Sequence, residues 1–149
     1  MVGRDDIRIC DGMANMDFAA VAAMLSKAVW SIGISEAEVR HGAENSALVV
    51  GAFLGAAQGG AQIGYARIIS DKTRFAYFTD VYVEEPYRGL GIGKRMSVHI
   101  LEHPELKLVY QWLLVTGTAH EFYRDLGFTS LSRPNDTLEI RNPRPKVRF

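Results

Sequence analysis

One cysteine, Cys10, is the only thiol in the 149 residues. No disulfide can close within the chain, and zinc sites built on two or more cysteines are excluded. Charge of one sign is also missing, since 17 Lys and Arg face 17 Asp and Glu. A polyanion binder steered by its field is usually basic, so no nucleic acid partner is expected. Long hydrophobic runs are absent. The longest, Ala47 to Ala57, is about 11 residues, against roughly 20 for a bilayer span. The opening Met1-Val-Gly-Arg-Asp-Asp6 lacks the apolar stretch of a secretory signal. The histidines (His41, His99, His103 and His120) show no metal-ligand spacing. His99 and His103 stand i, i+4 but outside any HExxH pattern, so no metal is expected. These absences read as a soluble, cytoplasmic protein with no membrane contact.

What is present is ordinary for a globular chain: 48% apolar and 23% charged residues. The length fits one domain, residues 1–149, able to bury a core without staples. Ile7 to Cys10 reads as a strand that ends at Asp11-Gly12. Phe18, Val21, Ala22, Leu25, Ala28 and Val29 recur at helical spacing, behind a cap at Asn15 or Asp17. Ser35-Glu-Ala-Glu38 is a capping box for a second, short helix limited by Gly42. Leu48–Leu54, Gln62–Ile69 and Phe75–Val83 read as strands of an antiparallel meander. Its turns are Gln58-Gly59-Gly60 and Asp71-Lys72-Thr73. A helix follows the glycines at 89–93 and runs to about His103, where Pro104 ends it. Val109–Val115 is a further strand and Ala119–Asp125 a short helix with Gly127 at its C′ position. Phe128–Leu131 and Thr137–Ile140 read as two last strands, and residues 141–149 as a loose tail. The order gives an α+β architecture: a mixed sheet with helices on its faces.

The segment Arg88-Gly89-Leu90-Gly91-Ile92-Gly93-Lys94 lies between a strand and a helix. Glycines let a ligand approach the backbone closely, and the first-turn amides and dipole of a helix attract anions. A Walker A loop fails here: Arg88 replaces its first glycine and Arg95 its Ser/Thr. The dinucleotide fingerprint Gly-x-Gly-x-x-Gly fails in both registers, meeting Lys94 or Met96 at its third glycine.

Arg88-x-x-Gly91-x-Gly93 resembles motif A of the GNAT superfamily of N-acetyltransferases. Phe78-Thr-Asp-Val-Tyr-Val83 followed by Pro86-Tyr-Arg-Gly89 is similar to that family's fourth strand and its approach to the loop. Ala119-His-Glu-Phe-Tyr-Arg-Asp-Leu-Gly-Phe128 resembles its motif B. The likeness covers at least residues 7 to 141. It implies the GNAT fold, with a mostly antiparallel sheet splayed between strands four and five.

It also implies acetyl-CoA as cosubstrate. Val81, Tyr82 and Val83 would pair with the pantetheine arm, and the amides of Gly89, Leu90, Gly91, Ile92, Gly93 and Lys94 would hold the pyrophosphate. Arg88 matches the Arg/Gln of motif A. Tyr123 matches the tyrosine that supports the leaving thiolate. Thr116 stands where many members carry an asparagine that contacts the cofactor. The implied activity is transfer of an acetyl group to a primary amine of a small molecule or peptide, by direct attack through a tetrahedral intermediate. An ammonium with a pKa of about 10.4 must first lose a proton. Asp80, a carboxylate in an apolar strand, is the expected base, or else a structural partner of an arginine such as Arg67. His120 and Glu121 are alternative bases. The acceptor would meet Trp30, Gly33 and Ile34, with Tyr65 and Trp112 as further aromatics. Cys10 reads as a lone buried thiol. The second reading is a catalytically weak GNAT module that binds acyl-CoA as a sensor or docking unit. A nucleotide-binding protein of another fold is a third, and a homodimer is left open.

Overall fold

The computed structural model describes residues 2–55 and 59–145, so the expected turn residue Gln58 and residues 146–149 lie outside the described residues. Five strands form one sheet in the order β1 (Ile7–Asp11), β2 (Leu48–Leu54), β3 (Gln62–Ser70), β4 (Phe75–Val83) and β5 (Gln111–Leu114). Neighbours are antiparallel except β4 and β5, which are parallel. Between them the chain crosses over through α3 (Ile92–Leu101), as a parallel pair requires. Among the described residues no helix is long and apolar enough to cross a membrane.

Both faces of the sheet are covered, which is why β2 reads as an unbroken apolar run. Successive strand residues point to opposite faces. Val49 and Tyr65 therefore join α1 (Phe18–Leu25) and α2 (Glu36–Glu44), where Phe18, Val21, Met24, Leu25 and Val39 pack. Val50, Ala52, Ala66, Ile68 and Phe78 face the other way and meet Ile92, Met96 and Ile100 of α3. Burying one such side chain contributes about 1.5–3 kcal/mol.

Local chemistry sets the helix ends. Asp17 Oδ1 accepts from Ala20 N–H at 3.2 Å and Ser35 Oγ from Glu38 N–H at 3.1 Å, so both N-caps form, while the Glu38 carboxylate of the expected capping box accepts from Arg144 instead. α1 stops at Leu25, short of the apolar spacing, because the Ser31 hydroxyl captures the Leu25 carbonyl at 2.7 Å. Ala28 stays buried beyond the break, while Val29 is left exposed. α2 continues through Gly42 to Glu44, two residues further than expected, and is capped at Asn45. After α4 (His120–Asp125) the chain reverses at Gly127, whose φ is +104°. Phe128 N–H bonds the Tyr123 carbonyl and Gly127 N–H the Arg124 carbonyl, a Schellman turn.

That turn explains a correction: residues 128–131 and 137–140 are not strands. Phe128 is aimed inward, with its ring 5.5 Å from Phe78. The following chain therefore leaves the short free edge of β5, and Pro134–Asp136 forms one 3₁₀ turn instead. Without a ladder partner, Leu138 and Ile140 lie open to solvent. The tail is not loose throughout. Arg144 donates to the Ile32 carbonyl at 3.2 Å and to both Glu38 carboxylate oxygens at 3.1 and 3.2 Å.

Candidate active site

The site starts from an irregularity in β4. Tyr65 pairs with Tyr82 but Arg67 with Thr79, so Asp80 and Val81 together oppose Ala66. This is a β-bulge, which bends a strand and re-aims a side chain. Asp80 takes φ +56° there, a left-handed conformation that aspartate tolerates better than most residues. Its carboxylate points to the α1–α2 side. Oδ2 accepts from Arg67 Nε at 2.6 Å and Oδ1 from the Trp30 indole N–H at 2.9 Å. Arg67 in turn reaches Ser46 Oγ at 3.2 Å.

Beyond the bulge the sheet opens. β4 pairs with β5 only over Phe75–Phe78, opposite Gln111–Leu114. Among the described residues Thr79–Val83 pairs with no β5 residue, so the backbone of Val81, Tyr82 and Val83 has no ladder partner on that side. The unpaired stretch lies where the splay between strands four and five is expected. β4 then leads through the turn Glu85–Tyr87 to the glycine loop. Gly89 and Gly91 have φ of +84° and +77°, and Gly91 is the N-cap of α3. Arg95 N–H bonds the Gly91 carbonyl at 3.0 Å. The amides of Ile92, Gly93 and Lys94 precede any helical acceptor and are presented at the positive helix end. Gly93 lies against α4; a Cβ there would sit 3.4 Å from the Phe122 ring. Arg88 is already engaged, donating to the Val83 carbonyl at 2.9 Å with its guanidinium 5.3 Å from the Tyr82 ring centre.

Tyr123 is buried on α4, edge-on to Phe122 and Phe128 at 4.9 and 5.8 Å. Burial pushes its phenol above the usual tyrosine range, so it is protonated at neutral pH. Thr116 Oγ1 accepts from Ala119 N–H at 3.0 Å and thereby shapes the entry to α4. Tyr123, Thr116, Trp112 and Phe128 line one cavity of about 210 Å³.

Trp30 and Asp80, 50 residues apart, are brought into contact. Gly33 (φ +76°) and Ile34 continue the loop that carries Trp30. Two expected aromatics do not join them. Tyr65 is fully buried under α1 and α2, and Trp112 lies on the opposite face, 5.7 Å from Phe78. Strand alternation separates them. His120 and Glu121 are exposed on α4. Cys10 is half-buried rather than buried, accepting from Arg8 at 3.0 Å. Sequence reasoning missed the bulge, for which the only local signal is a charged residue in an apolar strand.

Residues 50–130 match the family model described as an acetyltransferase (GNAT) domain. Among solved structures, a protein of Xanthomonas campestris pv. campestris assigned to the GNAT family is 30% identical, with a TM-score of 0.84. The match covers 92% of this chain and 94% of that one. A GNAT-family acetyltransferase from Streptococcus pneumoniae is 25% identical over 93% and 99% of the two chains, with a TM-score of 0.69. Glucosamine-6-phosphate N-acetyltransferase from Arabidopsis thaliana shares the fold at 12% identity, with a TM-score of 0.64 over 92% and 97%. No curated protein sequence matches. The fold and the family match define an acetyltransferase-type domain. The chain belongs to the GNAT acetyltransferase family.

Proposed function

We propose that this protein transfers an acetyl group from acetyl-CoA to a primary amine by direct attack. The observation that supports this most is the β5-side edge of Val81–Val83, which has no ladder partner and leads through Glu85–Tyr87 to the amides at the start of α3. In this reading the amides of Gly89–Lys94 hold the pyrophosphate, and the freed edge of Val81–Val83 pairs with the pantetheine arm. Arg88 contributes by fixing the end of β4. Thr116 borders the same cavity as Tyr123 and stands in for the asparagine of other members. A backbone N–H of the widened strand bonds the carbonyl oxygen as it becomes an oxyanion. Tyr123 donates its proton to the departing sulfur.

Asp80 takes the proton of the incoming ammonium. Both of its oxygens are engaged, yet each keeps a second acceptor position. A strained, non-glycine left-handed residue is the kind of feature that clusters at functional sites. Trp30, with Gly33 and Ile34, walls the acceptor side.

Two measurements test this reading. Acetyl-CoA at 100 times its dissociation constant should stabilise the fold by about 2.7 kcal/mol, with ATP and NAD doing less. Thiol release from acetyl-CoA should then appear with some member of an amine panel. The engagement of Asp80 by Arg67 favours one other outcome: stabilisation by acetyl-CoA with no transfer to any amine would mark a sensor or docking module. Equal stabilisation by ATP and none by CoA would overturn both.

A further inference from the structure

Three side chains outside the proposed site meet at the far end of α3. His99 lies in the last turn of α3 and His103 just past its end, with their ring centres 5.8 Å apart. β1 brings Asp11 to them from 88 residues away in sequence. Asp11 Oδ2 lies 2.6 Å from His99 Nε2 and 3.2 Å from His103 Nε2. Among the described residues this is a group of metal-capable side chains whose three ligand atoms all lie within 4.8 Å of one another. A tetrahedral ion with bonds of about 2.0–2.1 Å holds its ligand atoms about 3.3–3.4 Å apart. The two Asp11 separations fall below that value by less than about an ångström, so a small withdrawal of the carboxylate admits the ion.

We propose that Asp11, His99 and His103 bind a divalent transition-metal ion of the Zn²⁺, Co²⁺ and Ni²⁺ class, with water completing the coordination. Two imidazoles and one carboxylate suit these borderline ions, whereas Mg²⁺ and Ca²⁺ take oxygen sets. His103 is largely buried, at 13% side-chain exposure, while His99 and Asp11 are about one-third exposed. Solvent therefore reaches the open coordination position. The carbonyl end of α3 carries partial negative charge and favours a cation there. One contact must yield. His103 Nδ1 accepts from the exposed Glu105 N–H at 3.2 Å, and metal on Nε2 moves the ring proton to Nδ1. Water then satisfies the freed amide. The site is about 12 Å along α3 from Gly91 by helix rise, so it fastens the edge strand β1 to α3 and takes no part in acetyl transfer.

The test uses the full chain, stripped with a chelator and titrated with Co²⁺ and Zn²⁺. One equivalent of Co²⁺ should give the visible absorption of four- or five-coordinate cobalt, which Zn²⁺ bleaches. Zn²⁺ at roughly 100 times its Kd should raise Tm by about 5–10 °C. Asp11→Asn and His103→Gln should lose both signals, and His41→Gln should keep both. Should Asp11→Asn not fold, His103→Gln and the wild-type cobalt spectrum decide. A wild type without cobalt absorption or Tm rise would overturn the proposal. So would a Tm rise that persists undiminished in the folded variants.

Discussion

At the scale of the residue, Asp80 carries two burdens. Its left-handed backbone costs on the order of 1 kcal/mol or more, and its charge is drawn largely out of water. Arg67 and Trp30 offset the second. Asp80→Asn keeps the shape and an acceptor for Trp30 but removes the charge. We expect turnover to fall roughly 10²-fold at pH below the amine's pKa, with CoA affinity unchanged. Stability should fall by about 1–3 kcal/mol, because Arg67 loses its counter-charge. A wild-type pH profile in the folded variant would leave Asp80 a purely structural partner. For Tyr123→Phe the ring packing against Phe122 and Phe128 survives and only the hydroxyl goes. Single-turnover transfer should drop about 10²-fold, and less with a more acidic leaving thiol. Unchanged transfer would make Tyr123 a packing residue. The sequence makes Tyr123 and the Asp80–Arg67 pair legible, because motif spacing and an isolated charge are local signals. It hides the Trp30–Asp80 bond and the Asp11–His99–His103 cluster. Those depend on where a loop and an edge strand come to rest.

At the scale of the element, the decisive unit is β4, bulge, loop and α3. The meander, the crossover helix and both caps follow from periodicity and capping chemistry, and all are found. The last two strands are not found, for a reason that alternation cannot express. A strand needs an edge to pair with, and the Schellman turn at Gly127 carries the chain off the four-residue edge of β5. α1 ends early because a side chain six residues on, Ser31, takes its carbonyl. Gly91 tests the loop as a unit. At φ +77° a β-branched side chain is strained, and the first-turn amides would be displaced from where the proposed pyrophosphate sits. Gly91→Val should weaken CoA binding at least 10-fold while the far-ultraviolet circular dichroism of the sheet and helices is retained. A folded variant with wild-type CoA affinity, measured by calorimetry, would reduce the loop to a turn.

At the scale of the whole molecule, the sheet keeps its chemistry on two sides. One face holds Tyr65, Arg67 and Asp80 under α1 and α2; the other holds α3 and Tyr123. Arg144 ties the far end of the chain to the loop and helix beside Trp30, through Ile32 and Glu38. The two buried phenols therefore report on both layers through their response to alkali. Tyr65 is wholly buried, and among the described residues its hydroxyl meets no hydrogen-bond partner. Burial pushes its phenol well above the usual tyrosine range, with nearby Asp80 adding to the rise and Arg67 opposing it. Burial also raises Tyr123. A group whose folded pKa is raised contributes stability in full below its unfolded value, near 10, and loses it as pH climbs toward the folded value. Above pH 10 the unfolded chain releases phenolic protons that the folded chain keeps, so stability must fall. The urea midpoint of the wild type should thus be flat from pH 7 to 9 and decline above pH 10. Tyr65→Phe removes both the ionisation and an unpaired buried hydroxyl. It should equal or exceed the wild type at pH 7, by up to about 1 kcal/mol, and decline less steeply above pH 10. A variant clearly weaker at pH 7, with an alkaline decline parallel to the wild type, would show that the Tyr65 hydroxyl is satisfied in the folded protein.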